Sequence, residues 1–396
     1  MAAPTPNIYA VSESVVGIAV ETTRGTPVAP LYWEKLRSPA YKPDITYLED
    51  VGLQGSMAEV YNYVPGLAYD THQWDTYPYM DVFPNYMRAQ LGSPDTLGTA
   101  IAATTLASAA AEGATTLSIT ATVAAGDWLL VDTGALQETA YVLSVTGAGP
   151  YSATIEFPTL HAHSSGATVA GLTGHTFSLL NNAGGGNQPP TYTITDFDGE
   201  EWRQLTAAQN DKLDIKLTDT GLADVTASWL ANQSITPTAP SPSESTTVEA
   251  PPSWTTRVLW GGTVMENWSE FTLNLARQTK PVPSLQGTQA YYTYFADAIT
   301  ATGSISAIET FGAPELAAYR SGEQVPVTVM FSDPSTGYAC RLHSHRFQFK
   351  TGSLVRSKQW PTASLDFGLL PSATDATAGG VSPIVVNFGN GTLVTY

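Results

Sequence analysis

Lys212-Leu-Asp-Ile-Lys-Leu-Thr218 is the stretch on which the fold class turns. Leu213, Ile215 and Leu217 fall at every second position, and Asp214 and Lys216 fill the gaps, so an extended chain has one apolar and one charged face here. The same period of two recurs in both directions. Val16, Ile18 and Val20 show it toward the start; Phe271, Leu273 and Leu275, then Val325, Val327, Val329 and Phe331, show it toward the end. Turn-forming Gly, Pro, Asn and Asp separate these runs, and Thr, Val and Tyr are abundant. The pattern predicts an all-β protein, a β-sandwich or barrel core of half-buried antiparallel strands. Two segments break it. Residues 81–91 place Phe83, Met87 and Leu91 on one side, with Asp81 as N-cap and Gly92 as stop; residues 314–321 begin at Pro314 and end before Gly322. Together they predict one or two short helices lying on a sheet.

Charged residues make up 13% of the 396, and 35 acidic against 17 basic side chains give a net charge of −18. Such a chain has no net attraction for phosphate or anionic lipid, and its largely neutral surface is cheap to bury against other copies. No Lys or Arg occurs between Arg88 and Arg203. Cys340 is the only cysteine, which excludes a disulfide framework and multi-thiolate metal sites. The first cation is Arg24, which predicts no secretory signal, and no apolar run approaches the roughly 18 residues that span a bilayer. Synthesis in the cytoplasm is expected.

Residues 100–171 open with an Ala/Thr/Ser-rich stretch and continue as short strands over 117–122, 128–131, 140–145 and 153–157, separated by turns. They predict a small β domain inserted into a core built from residues 1–99 and 172–396. Residues 237–253 read as an exposed Pro/Ser-rich loop. Residues 38–79 hold Tyr41, Tyr47, Tyr61, Tyr63, Tyr69, Trp74, Tyr77 and Tyr79 with poor alternation. They predict a long loop or hairpin whose rings are covered by the parent core or by a neighbouring copy.

No phosphate loop, dinucleotide fingerprint, nucleophile-elbow serine or zinc-protease motif is present. His343 and His345 share a strand face, but Cys340 has the opposite parity, so no metal site is expected there. His161, His163 and His175 lack a carboxylate or thiolate at useful spacing and are expected to face solvent at the edge of the insert. Asp196, Asp198, Glu200 and Glu201 have the wrong spacing for a calcium loop and read as a solvated turn. The glycines at 184–186 read as a flexible loop. The expectation is therefore no catalytic residue, no cofactor and no metal.

Val15-Val-Gly-Ile-Ala-Val-Glu-Thr-Thr-Arg-Gly-Thr-Pro-Val-Ala-Pro30, followed by Trp33, resembles the N-terminal signature of tail tube proteins of long-tailed, non-contractile bacteriophages (siphophages), especially those infecting actinobacteria. Leu53-Gln-Gly-Ser56, Leu91-Gly92, Gly126-Asp-Trp128, His161-Ala-His163, Thr191-Tyr-Thr193, Leu275-Ala-Arg277 and the helix at Pro314 extend the resemblance over nearly the whole chain. It implies a β-sandwich core, hexameric rings whose inner strands close into one barrel, residues 38–79 as a loop joining one ring to the next, and an insert on the tube exterior. It also implies a place in the virion tail. The partners implied are the chain itself, a tape measure protein, tail terminator and distal tail proteins, and genomic DNA that passes without specific binding; no membrane is involved. The expected channel-lining residues are Asp214, Lys216 and Asp224, from the polar face of their strands, and the expected inter-ring residues are Tyr47, Tyr61, Tyr63 and Tyr69. Rival functions are a receptor- or carbohydrate-binding virion protein and a glycan-active enzyme, although nothing in the sequence pairs two carboxylates for the latter.

Overall fold

A computed structural model describes residues 11–52, 55, 57–181, 188–243, 246, 248–310, 313–356, 360–377 and 380–396. The glycines at 184–186, most of the Leu53-Gln-Gly-Ser56 phrase, and Glu244, Ser245 and Thr247 of the Pro/Ser-rich segment lie outside the described residues. The principal elements run β1 (Val15–Val20), β2 (Ala40–Asp50), β3 (Asn62–Thr76), α1 (Pro84–Leu91), β4 (Trp128–Val131), β5 (Glu138–Thr146), β6 (Thr168–Ser178), β7 (Tyr192–Phe197), β8 (Trp202–Thr218) and β9 (Asp224–Ala231). They continue with β10 (Trp268–Ala276), β11 (Thr300–Ile308), α2 (Glu315–Ser321), β12 (Val325–Ser332), β13 (Ala339–Val355), β14 (Thr362–Leu369), β15 (Ser372–Thr377), β16 (Gly380–Ser382) and β17 (Val385–Asn390). The protein is all-β, with two short α-helices among the described residues.

One antiparallel sheet runs β2–β3–β9–β8–β10–β11–β14–β13. The alternation read from Leu213, Ile215 and Leu217 is real: all three are buried, while Asp214 and Lys216 face outward. The first half of β13 leaves this sheet and pairs with β12 and β17, and β17 pairs with the second half of β6. The first half of β8 likewise turns aside to pair with β7, which pairs with β1. Two long strands thus turn the corners of the core, each at a register shift that bends the ladder. A second register shift in β8, against β7, spans Ala207, at φ +52°. An L-residue there costs on the order of 1–2 kcal/mol, and its N–H is held 2.8 Å from Glu21 Oε1. Glu21 also accepts from Gly25 N, Thr191 Oγ1 and Thr193 Oγ1, so the glutamate of the N-terminal signature ties its turn to β7 and β8. Gly17 of the same signature is required for space, because a Cβ there would meet Pro30 Cβ at 2.6 Å and the Trp33 ring at 2.9 Å.

A single apolar cluster fills the space between these sheets. Helix α1 lies inside it and is buried on almost every side. Tyr86 meets Trp229 of one sheet, while Phe83 sits edge-on against Phe388 of the other. Asp81 is not its N-cap: the helix starts three residues later, Phe83 holds the cap position without a side-chain bond, and a tight turn over 79–83 supplies the backbone partners. Gly92, at φ +86°, stops it as expected. Arg277 of the Leu275-Ala-Arg277 phrase is buried and donates to the carbonyls of Gln90 and Leu91, where the helix dipole favours a cation. Gly322, at φ +69°, ends α2, which begins after Pro314.

Residues 100–169 contribute a second, separate cluster around Leu117, Ile119, Leu129, Val131, Val142, Ile155 and Val169. Strand β6 runs from this unit into the main core without a break. Its first half pairs with β4 and its second half with β17. Trp128, Phe157 and Leu172 pack on Met330 and Ala339 across the junction, and Glu156 forms a buried pair with Arg341, with Arg341 Nε 2.5 Å from Oε2 and Nη2 2.8 Å from Oε1.

Candidate channel face and assembly surfaces

The outward face of the main sheet is set by strand register. Asp75, Thr226, Asp214, Asn274 and Thr302 stand side by side across β3, β9, β8, β10 and β11. The neighbouring row holds Asp224, Lys216, Thr272, Ser304 and Asp366. The three residues read from the sequence as channel candidates therefore share one face, Lys216 and Asp224 as direct cross-strand partners. The face is acidic and neutral polar, and three of its cations sit beside carboxylates, whereas exposed Lys350 lies over Gly368 at its far edge. Arg37 lies 2.6 Å from Asp224, Lys212 2.7 Å from Asp214, and Lys216 3.1 Å from Glu270. Thr226 donates to Asp75 at 2.6 Å, and Asn274 donates to Asp214. Exposed pairs of this kind add only about 0–1 kcal/mol each to stability. Their larger effect is to cancel the positive charge that phosphate would seek.

The aromatic stretch over residues 38–79 is a hairpin, not an unpatterned loop. β2 and β3 pair along it from Ala40↔Gln73 to Asp50↔Asn62. At its base the alternation is regular: Ala68, Asp70, His72, Trp74 and Thr76 all point inward. Trp74 stacks on Trp229 at 5.6 Å and donates through Nε1 to the Tyr86 hydroxyl at 2.8 Å, so the parent core covers the basal rings. Toward the tip burial ends. Tyr47 is 56% and Tyr63 58% exposed, and Leu48, Val51, Met57 and Val64 are exposed beside them. Tyr61 is half-buried, and Tyr69 is half-buried against Tyr291 with its hydroxyl 3.5 Å from Asp44 Oδ2. A partner the sequence reading missed lies alongside: residues 280–295 form a second hairpin, with Ala68 N donating to Gln289 O at 3.0 Å and Leu285 and Tyr292 exposed. Pro281-Val-Pro-Ser-Leu285 and Tyr291-Tyr292 were its sequence signal, an apolar and aromatic loop with no partner of its own.

Two of the three histidines expected to face solvent do not. His163 is buried between Asp132, at 3.1 Å from Nδ1, and Glu138, at 2.5 Å from Nε2; hydrogen bonds and charge from both carboxylates raise its pKa against the opposing effect of burial. His175 is buried, with Asp95 2.7 Å from Nδ1 and Asn390 Oδ1 3.1 Å from Nε2. The carboxylates come from distant parts of the sequence, which is why spacing hid them. His161 is half-buried. The acidic run is also not a solvated turn throughout: Asp196 is buried 3.4 Å from His72, while Asp198 closes the turn through the N–H groups of Glu200 and Glu201 and pairs with Arg203 at 2.5 Å.

Cys340 faces the main core and is fully buried, which pushes its thiol well up. His343 and His345 face the other way, into a groove between the insert and the core, where Asp375 of β15 joins them. That carboxylate is 30 residues downstream of His345, beyond any motif spacing. No described helix is long and apolar enough to cross a membrane.

No curated protein matches the chain. A family model described as phage tail tube protein matches residues 170–388, which takes in β7 to β16, most of β6 and β17, and the strands that carry Asp214, Lys216 and Asp224. That is more than half of the chain, and together with the sheet architecture it places this protein in the phage tail tube protein family.

Proposed function

We propose that this chain is the ring-forming subunit of a siphophage tail tube, and that its rings stack through the β2–β3 hairpin while the Asp214–Lys216–Asp224 face lines the DNA channel. The family is one of structural tail proteins whose members assemble into a tube, so the protein belongs to the virion tail and has a structural role. The observation that carries the finer reading is the exposed apolar tip of the hairpin. Tyr47, Leu48, Val51, Met57, Tyr63 and Val64 form an extended apolar surface that an isolated subunit leaves in water. Burial against the next ring would gain about 25 cal/mol per Å² before ordering costs. Closing the sheet across six copies would also remove the free edges on which unassembled sheets aggregate. Tyr47, Tyr61, Tyr63 and Tyr69 are the inter-ring residues in this reading. The insert sits on the outside, and the tape measure protein, tail terminator and distal tail proteins meet the ends or fill the lumen.

Tyr47 and Pro65 face each other across the hairpin, so residues 48–64 are replaceable by an Asn-Gly turn that closes it there. The expected outcome is an unchanged circular dichroism spectrum and melting temperature with no tubes by electron microscopy. Tubes of normal length from the shortened protein would defeat the stacking assignment.

A further inference from the structure

We infer that His343, His345 and Asp375 form a binding site for a single zinc-like divalent transition ion that clips the β15–β16 hairpin to β13. The three candidate ligand atoms lie within 4.8 Å of one another. His343 Nε2 is 3.3 Å from His345 Nδ1 and 3.5 Å from its Nε2, with the two rings perpendicular and 4.4 Å apart. Two ligands on a tetrahedral ion with bonds of about 2.0–2.1 Å are separated by about 3.3–3.4 Å, so the imidazoles already stand at the required bite. Asp375 Oδ1 is 2.7 Å from His345 Nδ1, and its other oxygen is buried without a hydrogen-bond partner among the described residues. That carboxylate is nine-tenths buried and is left with unused lone pairs.

The hydrogen-bond network fixes which nitrogen of His343 is free. Glu156 accepts from Arg341 through both oxygens, and Thr328 Oγ1 lies 2.8 Å from Glu156 Oε1 and 2.8 Å from His343 Nδ1. A carboxylate only accepts, so the one proton of the Thr328 hydroxyl goes to Glu156. The hydroxyl oxygen must then accept from His343 Nδ1–H. This leaves the lone pair on Nε2, directed at the His345 ring. A ligating imidazole whose other nitrogen donates into a carboxylate-anchored chain is the usual outer arrangement of a metal-bound histidine. His345 is about one-third exposed on its side chain, so its ring has room to exchange the Asp375 hydrogen bond for coordination, and the fourth position opens to the groove. Two imidazoles and one carboxylate suit zinc, cobalt or nickel, whereas calcium and magnesium require oxygen ligands.

The test uses the full chain stripped with a chelator. Zinc is titrated in competition with a chromophoric chelator, and cobalt is followed through its visible absorption. The expected result is one ion per chain, intense tetrahedral-type cobalt bands, and a melting temperature that rises with zinc. Asp375→Asn and His345→Ala should each weaken binding about 100-fold or more, and Thr328→Val about tenfold, with apo melting temperatures near that of the parent. If His345→Ala fails to fold, His345→Asn serves in its place, since the ring is partly exposed. Substoichiometric zinc, or zinc held equally well by all variants, would overturn the site.

Discussion

At the residue scale the sharpest electrostatic anomaly is Glu34, next to Trp33 of the N-terminal signature. Burial pushes its carboxyl up to about 8, against the pull of the Tyr86 hydroxyl, and its Oε1 lacks a partner among the described residues. A carboxyl whose pKa is higher folded than unfolded stabilises the fold fully below the unfolded value, and that stability drains away as pH rises toward the folded value. The window here is pH 4.5 to 8. Glu34→Gln should therefore gain stability relative to the parent as pH rises through that window, on the order of 4 kcal/mol at pH 8, with the gap narrowing to under about 1 kcal/mol near pH 5. Chemical denaturation at several pH values checks it; a gap independent of pH would mean that Glu34 does not titrate in this range.

At the element scale, Glu156 and Arg341 fasten the insert to β13. Removing one partner of a buried ion pair strands the other charge and costs about 3–5 kcal/mol. Arg341→Ala should loosen the 100–169 unit first, because its own apolar cluster is separate from the main one. Hydrogen exchange should show early loss of protection there, and Glu156→Ala/Arg341→Ala should be milder than the single change. Equal loss across both clusters would show that the insert and core unfold as one. The elements themselves were largely legible. Period-two runs marked β1, β8, β10 and β12, and Gly92 and Gly322 marked the ends of both helices, since these signals are local. Asp81 was misassigned as a cap because a turn over 79–83 intervenes, and no local rule distinguishes the two. The carboxylates beside His163, His175 and His345 were invisible for a different reason: Asp132, Glu138, Asp95 and Asp375 are 25 or more residues away in sequence and are brought in only by the tertiary fold. The hairpin looked irregular because its base obeys the core's alternation while its tip obeys none.

At the scale of the whole molecule, the acidic balance becomes meaningful only when the sheet face is seen as a surface. Asp214 and Asp224 each hold a cation, Lys212 and Arg37, so on the proposed channel wall they do more than add negative charge: they keep positive charge from reaching DNA. Neutralising both, with Asp214→Asn and Asp224→Asn, leaves the side chains nearly the same size and releases two cations per subunit into the proposed lumen. Repeated around every ring, those cations would form ladders of phosphate contacts. Each contact steepens the salt dependence of binding, and a few per ring are enough to slow DNA that must slide past many rings. Subunits carrying both changes should still form tubes of normal diameter, since exposed pairs contribute little to stability. Particles assembled from them should eject DNA more slowly at low salt and recover as salt rises. Glu112→Lys, an exposed change on the insert, serves as the control for a general charge effect and should leave ejection unchanged. Normal ejection by the double variant at low salt, or slowing by the control to the same extent, would remove the Asp214–Lys216–Asp224 face from the channel.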